Sequence, residues 1–307
     1  MIVTKKDKPG IWPWVAAILV VAVWAETFIS SKVLLTGGME PADIFFFRFT
    51  LAYLGLWIVC PKRLFARNLK DELTFFFLGI TGGSLYFLLE NTALEYSTAS
   101  NVAILVGSAP LATALLVSLV HKEEKMSGRQ LAGSAIAFIG MALVVFNGKF
   151  ILKLNPLGDA LALGAALTWG FYSLVIRRVS DRYEVRFITR KVFFYGLVTI
   201  LPYFALVEPL HLDWEMLSRP AVWGNLVYLA IVASFCCFLT WNWALTRLGT
   251  IRTTNLIYGQ CFFTMLIANI VLGEEITWMA VLGTVILIIG MINAVRQKNT
   301  VLDDKSC

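Results

Sequence analysis

Uncharged apolar runs of about twenty residues recur along the whole chain, separated by short charged patches. Such a run can cross the hydrocarbon core of a bilayer as an α-helix, because each residue advances a helix by about 1.5 Å. Only 15% of the residues are charged, whereas a soluble domain carries about 25%. A soluble core cannot account for so many uncharged runs of this length. The sequence therefore predicts an all-α integral membrane protein.

The order of apolar runs and breaks predicts ten transmembrane helices. Their predicted ranges are 11–35, 41–60, 72–95, 98–120, 127–147, 156–177, 186–207, 220–245, 250–272 and 277–295. The connections are short, and several contain glycine or proline, as at Gly37-Gly38 and Asn155-Pro156. No soluble domain fits between the helices, so the lipid bilayer is the expected surrounding of most of the chain.

The distribution of lysine and arginine predicts how the helices are oriented. With the N-terminus placed inside, 21 of the 26 basic residues fall in the inner loops and tails and four in the outer loops. The remaining one, Arg48, lies within a helix. This positive-inside bias predicts an inner-membrane protein with both termini in the cytoplasm. It also accounts for the net charge of +6, so no nucleic-acid partner is expected.

Two parts of the chain share one spacing of residues. Steps of 14, 9 and 7 residues separate Pro110, Glu124, Gly133 and Gly140, and the same steps separate Gln260, Glu274, Gly283 and Gly290. Chance similarity between apolar segments is the competing explanation, and the shared glutamate and glycines argue against it. The sequence therefore predicts two five-helix halves, 1–148 and 149–307, which insert with opposite orientation because five is odd. Glycines seven residues apart share a helix face and predict close helix packing.

The motifs in these halves resemble a known family. The pattern Ala93-Leu94-x-Tyr96…Pro110…Glu124…Gly133…Gly140 is similar to the EamA-type repeat of the drug/metabolite transporter superfamily, as is Gly158-Asp159…Trp169…Tyr172…Arg177. The resemblance covers about residues 11–296. It implies two inverted five-helix halves around a central cavity, with the fifth helix of each half peripheral. It also implies amino acids, related metabolites or drugs as substrates, often moved outward.

The chain departs from the family pattern at two places. Family members commonly have Trp-Gly and a small polar residue in the first helix, whereas this chain has Trp24-Ala25-Glu26-Thr27. The second half has Gln260 where the first has Pro110. A substrate cannot be transferred from relatives across these differences.

Three ionisable residues lie inside predicted helices, namely Glu26, Arg48 and Glu90. A charge at the bilayer centre costs roughly 2.5–3.5 kcal/mol on insertion scales, so each is a functional candidate. Helix rise places all three in the outer half of the bilayer, about 7–13 Å from the outer helix ends. Glu26 and Arg48 are expected to act as one coupled unit, which can include Glu90, either as a buried ion pair that orders three helices or as a site for substrate or protons. The two roles can coexist.

Further candidates for a binding site are aromatic and amide side chains within the helices. The aromatic candidates are Trp24, Tyr86, Trp169, Tyr172, Trp241 and Tyr258, and the amide candidates are Asn91, Asn242 and Gln260. Aromatic residues can line a cavity for a ligand with apolar parts, or they can pack between helices and at the membrane interface. Amides can bind a substrate or form hydrogen bonds between helices.

The motifs favour a secondary transporter for a small organic metabolite, acting by alternating access and exporting its substrate. The sequence has no Walker A motif for nucleotide binding, so transport is expected to be coupled to protons or to have no energy coupling. It also lacks GxSxG and HExxH, so no catalytic residue, metal or cofactor is predicted. A membrane-embedded enzyme and a passive channel or scaffold are the alternatives. The sequence leaves the oligomeric state open.

The predicted topology can be tested with single cysteines in the loops. A cysteine at Ala66 or Tyr183 should react with a membrane-impermeant thiol reagent only from the cytoplasmic side. A cysteine at Gly38 should react only from outside. Labelling from the same side at all three positions would contradict both the orientation and the inverted repeat.

Overall fold

The structure of the chain is a computed structural model that describes residues 10–61, 64–97, 99–120, 127–146, 155–211, 213–263, 266–267 and 276–295. The secondary structure of these residues is helical, without β-strands. The α-helices, in chain order, are α1 Ile11–Thr36, α2 Pro41–Val59, α3 Leu69–Gly79, α4 Leu85–Tyr96, α5 Ala99–Val106, α6 Ala109–Val120, α7 Gly128–Phe146, α8 Pro156–Val175, α9 Arg177–Ser180, α10 Val185–Leu206, α11 Trp214–Ser218, α12 Pro220–Val227, α13 Cys237–Leu248, α14 Thr250–Asn255 and α15 Trp278–Val295.

Within the described residues, seven helical segments are long and apolar enough to cross a membrane. Two further apolar helices, Gly128–Val144 and Trp278–Ala294, are shorter. The predicted ninth helix, 250–272, is described only in part, and Glu124, Glu274, residues 1–9 and residues 296–307 lie outside the described residues. An all-α multi-pass membrane protein is confirmed, while the count of ten helices and the cytoplasmic termini remain predictions.

Helix starts follow from local chemistry. Proline occupies the first turn of α2, α8 and α12, where its missing N–H has no partner to lose. The Asn155 side chain caps α8 by accepting hydrogen bonds from the backbone N–H groups of Leu157 and Gly158 at 3.1 and 3.0 Å. The prolines and the asparagine cap therefore mark the first residues of these helices.

Two helical spans contain π-helical segments at matching positions of the two predicted halves. The first, Ile80–Ser84, joins α3 to α4, and the second, Tyr228–Cys236, joins α12 to α13. Asn91 and Asn242 are 151 residues apart, and the same step carries 80–84 onto 231–235, inside the second segment. A π-helical segment re-aims the side chains that follow it and releases backbone carbonyl groups from the regular hydrogen-bond ladder.

A second pair of irregularities also matches. The span from α5 to α6 is interrupted at Gly107-Ser108, and a 3₁₀ turn at Leu256–Gly259 follows α14. The step of 150 residues from Pro110 to Gln260 places 107–108 at 257–258, within that turn. Both pairs of breaks therefore fall at equivalent places along the chain.

Helices α7 and α15 pack against each other through the glycines that the sequence singled out. A Cβ atom added at Gly140 would lie 2.3 Å from the backbone N of Leu287, and one at Gly290 would lie 2.2 Å from the backbone N of Ala137. A Cβ atom added at Gly133 would lie 2.4 Å from the backbone N of Ala294. Lower numbers in α7 face higher numbers in α15, so the two helices are antiparallel. The glycines allow the backbones to touch, as their spacing predicted.

Replacing Gly290 with alanine should destabilise the protein by about 1–3 kcal/mol, because the new methyl group would force two backbones apart. The matched control is Gly224→Ala in α12, where an added Cβ meets no atom within 4 Å and alanine is favoured over glycine in a helix by about 1 kcal/mol. Thermal unfolding in detergent measures both changes. Equal unfolding temperatures for the two variants would contradict this account of the α7–α15 contact.

Candidate functional site

A cavity with about 40 Å³ of space that water could occupy lies between the helices of the two predicted halves. Half of the residues proposed from the sequence line it. The twelve lining residues are Trp24, Thr27, Arg48, Tyr86, Phe87, Glu90, Val106, Ala109, Trp169, Phe238, Ile257 and Gln260. The π-helical segments lie just before Tyr86 and Phe238, and the helix breaks at 107–108 and 256–259 are in or beside the lining. Each irregular segment thus shapes one part of the wall.

Arg48 brings a positive charge to the cavity from α2. The side chain is only 3% exposed. Its Nε donates a hydrogen bond to Ser234 Oγ at 2.5 Å, and its Cζ lies 4.4 Å from the centroid of the Phe87 ring. The hydrogen bonds of the described part of the chain include none from the two terminal nitrogens of this guanidinium. Those nitrogens are the groups that can bind an anion in the cavity.

Glu90 supplies a negative charge to the same cavity. The Tyr86 hydroxyl, one helical turn earlier, donates to its Oε1 at 2.9 Å. The charges of Glu90 and Arg48 attract each other, yet among the described ion pairs within 4 Å neither residue appears. The cavity therefore presents one positive and one negative group, each still able to pair with a ligand.

The apolar wall of the cavity is aromatic. Trp24 and Trp169, which occupy equivalent places in the two halves, meet edge to face with ring centroids 5.6 Å apart, and Phe238 lies 5.8 and 5.9 Å from them. The Trp24 indole N–H donates to the carbonyl oxygen of Ala233 at 2.9 Å, and Gln260 Nε2 donates to the Trp24 carbonyl oxygen at 2.8 Å. These bonds fix Trp24 against the helices of the second half. The wall suits the apolar part of a solute.

Glu26 lies outside the cavity lining, although the sequence grouped it with Arg48. It is two residues from Trp24, which turns it about 200° around the helix. Its two carboxylate oxygens accept from Ser30 Oγ, each at 2.9 Å, and the Tyr228 hydroxyl lies beside them. The structure thus brings Arg48 and Glu90 together at one cavity and directs Glu26 to the contact between α1 and the second π-helical segment.

Three predicted polar residues lie in hydrogen bonds between helices, away from the cavity lining. The Tyr172 hydroxyl donates to Asn242 Oδ1 at 2.7 Å, and Asn242 Nδ2 donates to Thr189 Oγ1 at 3.0 Å, which joins α8, α13 and α10. Asn91 Nδ2 donates to the carbonyl oxygen of Pro41 at 3.1 Å. In the closed interior these bonds satisfy buried polar groups and fix helix positions.

Two predicted aromatic residues, Trp241 and Tyr258, are fully buried and do not line the cavity. Trp241 lies behind Trp24, with ring centroids 5.0 Å apart. Tyr258 packs in a separate apolar cluster with Met141 and Leu287. Their position gives them a packing role in this structure.

Sequence reasoning missed half of the lining, namely Thr27, Phe87, Val106, Ala109, Phe238 and Ile257. One signal was present for two of them, because the step of 151 residues that aligns Asn91 with Asn242 also aligns Phe87 with Phe238. The others are small or apolar residues in apolar helices. Nothing in their type separates a cavity position from a packing position.

The fold and the cavity define a multi-pass membrane protein with charged and aromatic side chains gathered between its helices. The model of the EamA-like transporter family matches residues 11–146 and, a second time, residues 156–296. The chain belongs to this family. The resemblance inferred from its motifs is confirmed, and membership indicates a small-molecule transporter rather than an enzyme.

Relatives match along most of their length. The chain is 27% identical to an uncharacterized transporter of Archaeoglobus fulgidus, over 89% of this chain and 93% of that protein. It is 27% identical to a probable terminal-alkyne amino-acid exporter of Streptantibioticus cattleyicolor, over 93% of each chain. It is 26% identical to a probable amino-acid metabolite efflux pump of Escherichia coli, over 90% and 92%. A protein crystal structure matches with a TM-score of 0.74 at 15% identity, over 94% of this chain and 98% of that one, which supports the fold alone.

Proposed function

We propose that this protein is a secondary transporter that exports an amino-acid-like metabolite with an apolar or aromatic side chain. The observation that carries the proposal is the presence of Arg48 and Glu90 in one aromatic cavity. The finer points of topology belong to the same proposal: ten helices in two inverted halves, 1–148 and 149–307, with both termini in the cytoplasm.

The cavity chemistry suits a zwitterion. An α-amino acid carries a carboxylate, which the terminal nitrogens of Arg48 can bind, and an ammonium group, which Glu90 can bind. Each pairing offsets the cost of removing a charge from water. The side chain of the solute would then pack against Trp24, Trp169 and Phe238. A sugar phosphate fits poorly, because one arginine gives little compensation for two negative charges.

The names of two relatives agree with this substrate class and with export. One is described as an amino-acid exporter and another as an amino-acid metabolite efflux pump. The identities of 27% and 26% leave room for a different substrate. The proposal therefore rests on the cavity residues first and on the relatives second.

Ligand-induced thermal stabilisation tests the substrate class with two matched variants. Amino acids with apolar side chains should raise the unfolding temperature of the purified protein, and sugar phosphates should not. Glu90→Gln should weaken amino-acid binding about tenfold or more, because it removes a charge-assisted hydrogen bond worth about 1.5–3 kcal/mol. Glu26→Gln also removes a membrane carboxylate but should leave binding unchanged, because Glu26 is outside the cavity lining.

Preferential stabilisation by sugar phosphates would overturn the substrate class. Equal effects of Glu90→Gln and Glu26→Gln would overturn the assignment of Glu90. Uptake into inside-out vesicles, with and without a pH gradient, separates the mechanisms. Saturable flux indicates a carrier, dependence on the gradient indicates proton coupling, and flux that does not saturate would favour the passive channel.

Alternating access requires one end of the cavity to be closed, and a cluster of polar contacts lies at the end predicted to be cytoplasmic. Arg182 forms an ion pair with Asp71 at 2.6 Å, the Tyr183 hydroxyl donates to Asp71 Oδ2 at 2.7 Å, and Lys191 pairs with Glu72. Burial raises the pKa of the Tyr183 hydroxyl, so it stays a donor. We name Asp71, Glu72, Arg182, Tyr183 and Lys191 the inner polar cluster. It joins α3 of the first half to the α9–α10 region of the second.

The inner polar cluster should open when the transporter faces the cytoplasm. Glu72→Gln removes the charge that Lys191 pairs with and should favour the inward-open state by about 1–2 kcal/mol, or 5- to 30-fold in population. The readout is labelling of a cysteine at the cavity position Thr27 in inside-out vesicles, in a variant without the native cysteines. The control is Glu184→Gln, which breaks an exposed pair with Arg186 nearby and should change labelling little. Unchanged labelling in Glu72→Gln would contradict a gating role.

A further inference from the structure

The cavity arginine is held by a residue of the opposite half. Arg48 lies on α2, whereas its hydrogen-bond partner Ser234 lies in the π-helical segment Tyr228–Cys236 of the second half. Both side chains are buried, Ser234 fully and Arg48 to all but 3%. The bond of 2.5 Å therefore links a charge in one half to a fixed hydroxyl in the other.

The π-helical segment Tyr228–Cys236 provides two neighbouring hydrogen-bond acceptors, one for Trp24 and one for Arg48. The carbonyl oxygen of Ala233 accepts from the Trp24 indole at 2.9 Å, and the hydroxyl of the next residue, Ser234, accepts from Arg48 Nε. In a regular α-helix an interior carbonyl is occupied by the N–H four residues later, so the altered winding accounts for a carbonyl that can also accept from an indole. One irregular turn thus holds an aromatic wall residue and the cavity cation together.

The orientation of the guanidinium follows from these contacts. Ser234 Oγ accepts a hydrogen bond from Nε, and Cζ lies over the Phe87 ring, 4.4 Å from its centroid. The edge formed by the two terminal nitrogens is left for a ligand. A carboxylate binds a guanidinium best when two parallel N–H···O bonds form in one plane, so a fixed plane favours a carboxylate over a neutral carbonyl group.

We propose that Ser234 is a positioning residue that sets the preference of the cavity for a carboxylate. The proposal rests on the proposed function, because it names the group of the substrate that Arg48 selects. The hydrogen bond from Arg48 Nε to Ser234 limits rotation of the guanidinium and keeps its terminal nitrogens available to a carboxylate in the cavity.

A purely structural bond would have a different consequence. If Ser234 only satisfied a buried donor, its loss would lower stability and weaken all ligands alike. If it orients Arg48, its loss should weaken carboxylate ligands much more than ligands without a carboxylate. The measurement must therefore compare an acid with its neutral amide rather than follow affinity for one ligand.

The experiment measures the dissociation constants of L-phenylalanine and L-phenylalaninamide by thermal shift titration of the purified full chain. The wild-type protein should bind the acid about 30-fold or more tightly than the amide, as for a bidentate charged pair worth about 2 kcal/mol. Ser234→Ala should lower that ratio about tenfold while binding the amide as the wild type does. Ser234→Thr, which keeps the hydroxyl, should restore most of the preference.

The matched control is Ser84→Ala. Ser84 lies in the other π-helical segment, is 5% exposed and shares a hydrogen bond of 2.7 Å with Thr199, but it does not touch Arg48. This variant should keep the wild-type acid-to-amide ratio. The unfolding temperature of each variant without ligand shows whether the variant is folded, which separates a folding defect from a loss of preference for the acid. If Ser234→Ala is unstable, Ser234→Thr provides the folded comparison.

The outcomes distinguish this inference from the proposed function. A wild-type protein that prefers the acid, together with a Ser234→Ala variant that prefers it equally, would overturn the role of Ser234 and leave the proposed function intact. A wild-type protein that binds neither compound, or both equally, would overturn the carboxylate anchor at Arg48, and the role of Ser234 with it. A reduced ratio in Ser84→Ala as large as that in Ser234→Ala would show a general packing effect and also overturn the inference.

Discussion

The positive charge of Arg48 inside a membrane-spanning helix is the constraint on which the cavity depends. A charge in this position costs roughly 2.5–3.5 kcal/mol even on permissive scales, and the described ion pairs within 4 Å do not include one with Arg48. The cost is offset by Ser234, by the face of Phe87 and by the attraction of Glu90 across the cavity. Phe87 and Glu90 lie on α4 and Ser234 lies in the second π-helical segment, so these groups can stabilise the charge on α2 only when the three spans are correctly packed.

The irregular helical segments make that packing possible. Regular helices would present smooth faces with every interior carbonyl occupied, whereas the π-helical segment at Tyr228–Cys236 supplies Ala233 and Ser234 as partners for Trp24 and Arg48. The matching segment at Ile80–Ser84 directly precedes α4, the helix that carries Tyr86 and Glu90. The two π-helical segments lie at matching positions of the predicted halves, whereas Arg48 and Glu90, the two charged residues of the cavity lining, both lie in the first.

Separate regions hold the helices together around this centre. The glycine contact between α7 and α15 joins the fifth and tenth predicted helices by direct backbone approach, and the inner polar cluster joins α3 to the α9–α10 region by charge pairs. The first contact brings backbone against backbone at its glycines, with Arg129 donating to Asn293 beside them, whereas the second is made of charged and polar side chains. The two contacts therefore hold the helices together by different interactions.

The sequence by itself determined the membrane class, the helical fold and the family, because apolar length and motif spacing are properties of local segments. The ten spans, the repeat and the orientation stay predictions. The sequence also placed Trp24, Arg48, Glu90 and Gln260 among the site candidates, since polar or charged residues in apolar runs are costly. Only the tertiary structure decided that Glu90 faces the cavity while Glu26 faces the contact with Tyr228, and that Asn242 bonds to Tyr172 and Thr189. The reason is geometric. The type of a residue fixes the free-energy cost of burying it. Which neighbouring group offsets that cost depends on the rotation of each helix about its axis and on π-helical turns, and the sequence period reveals neither.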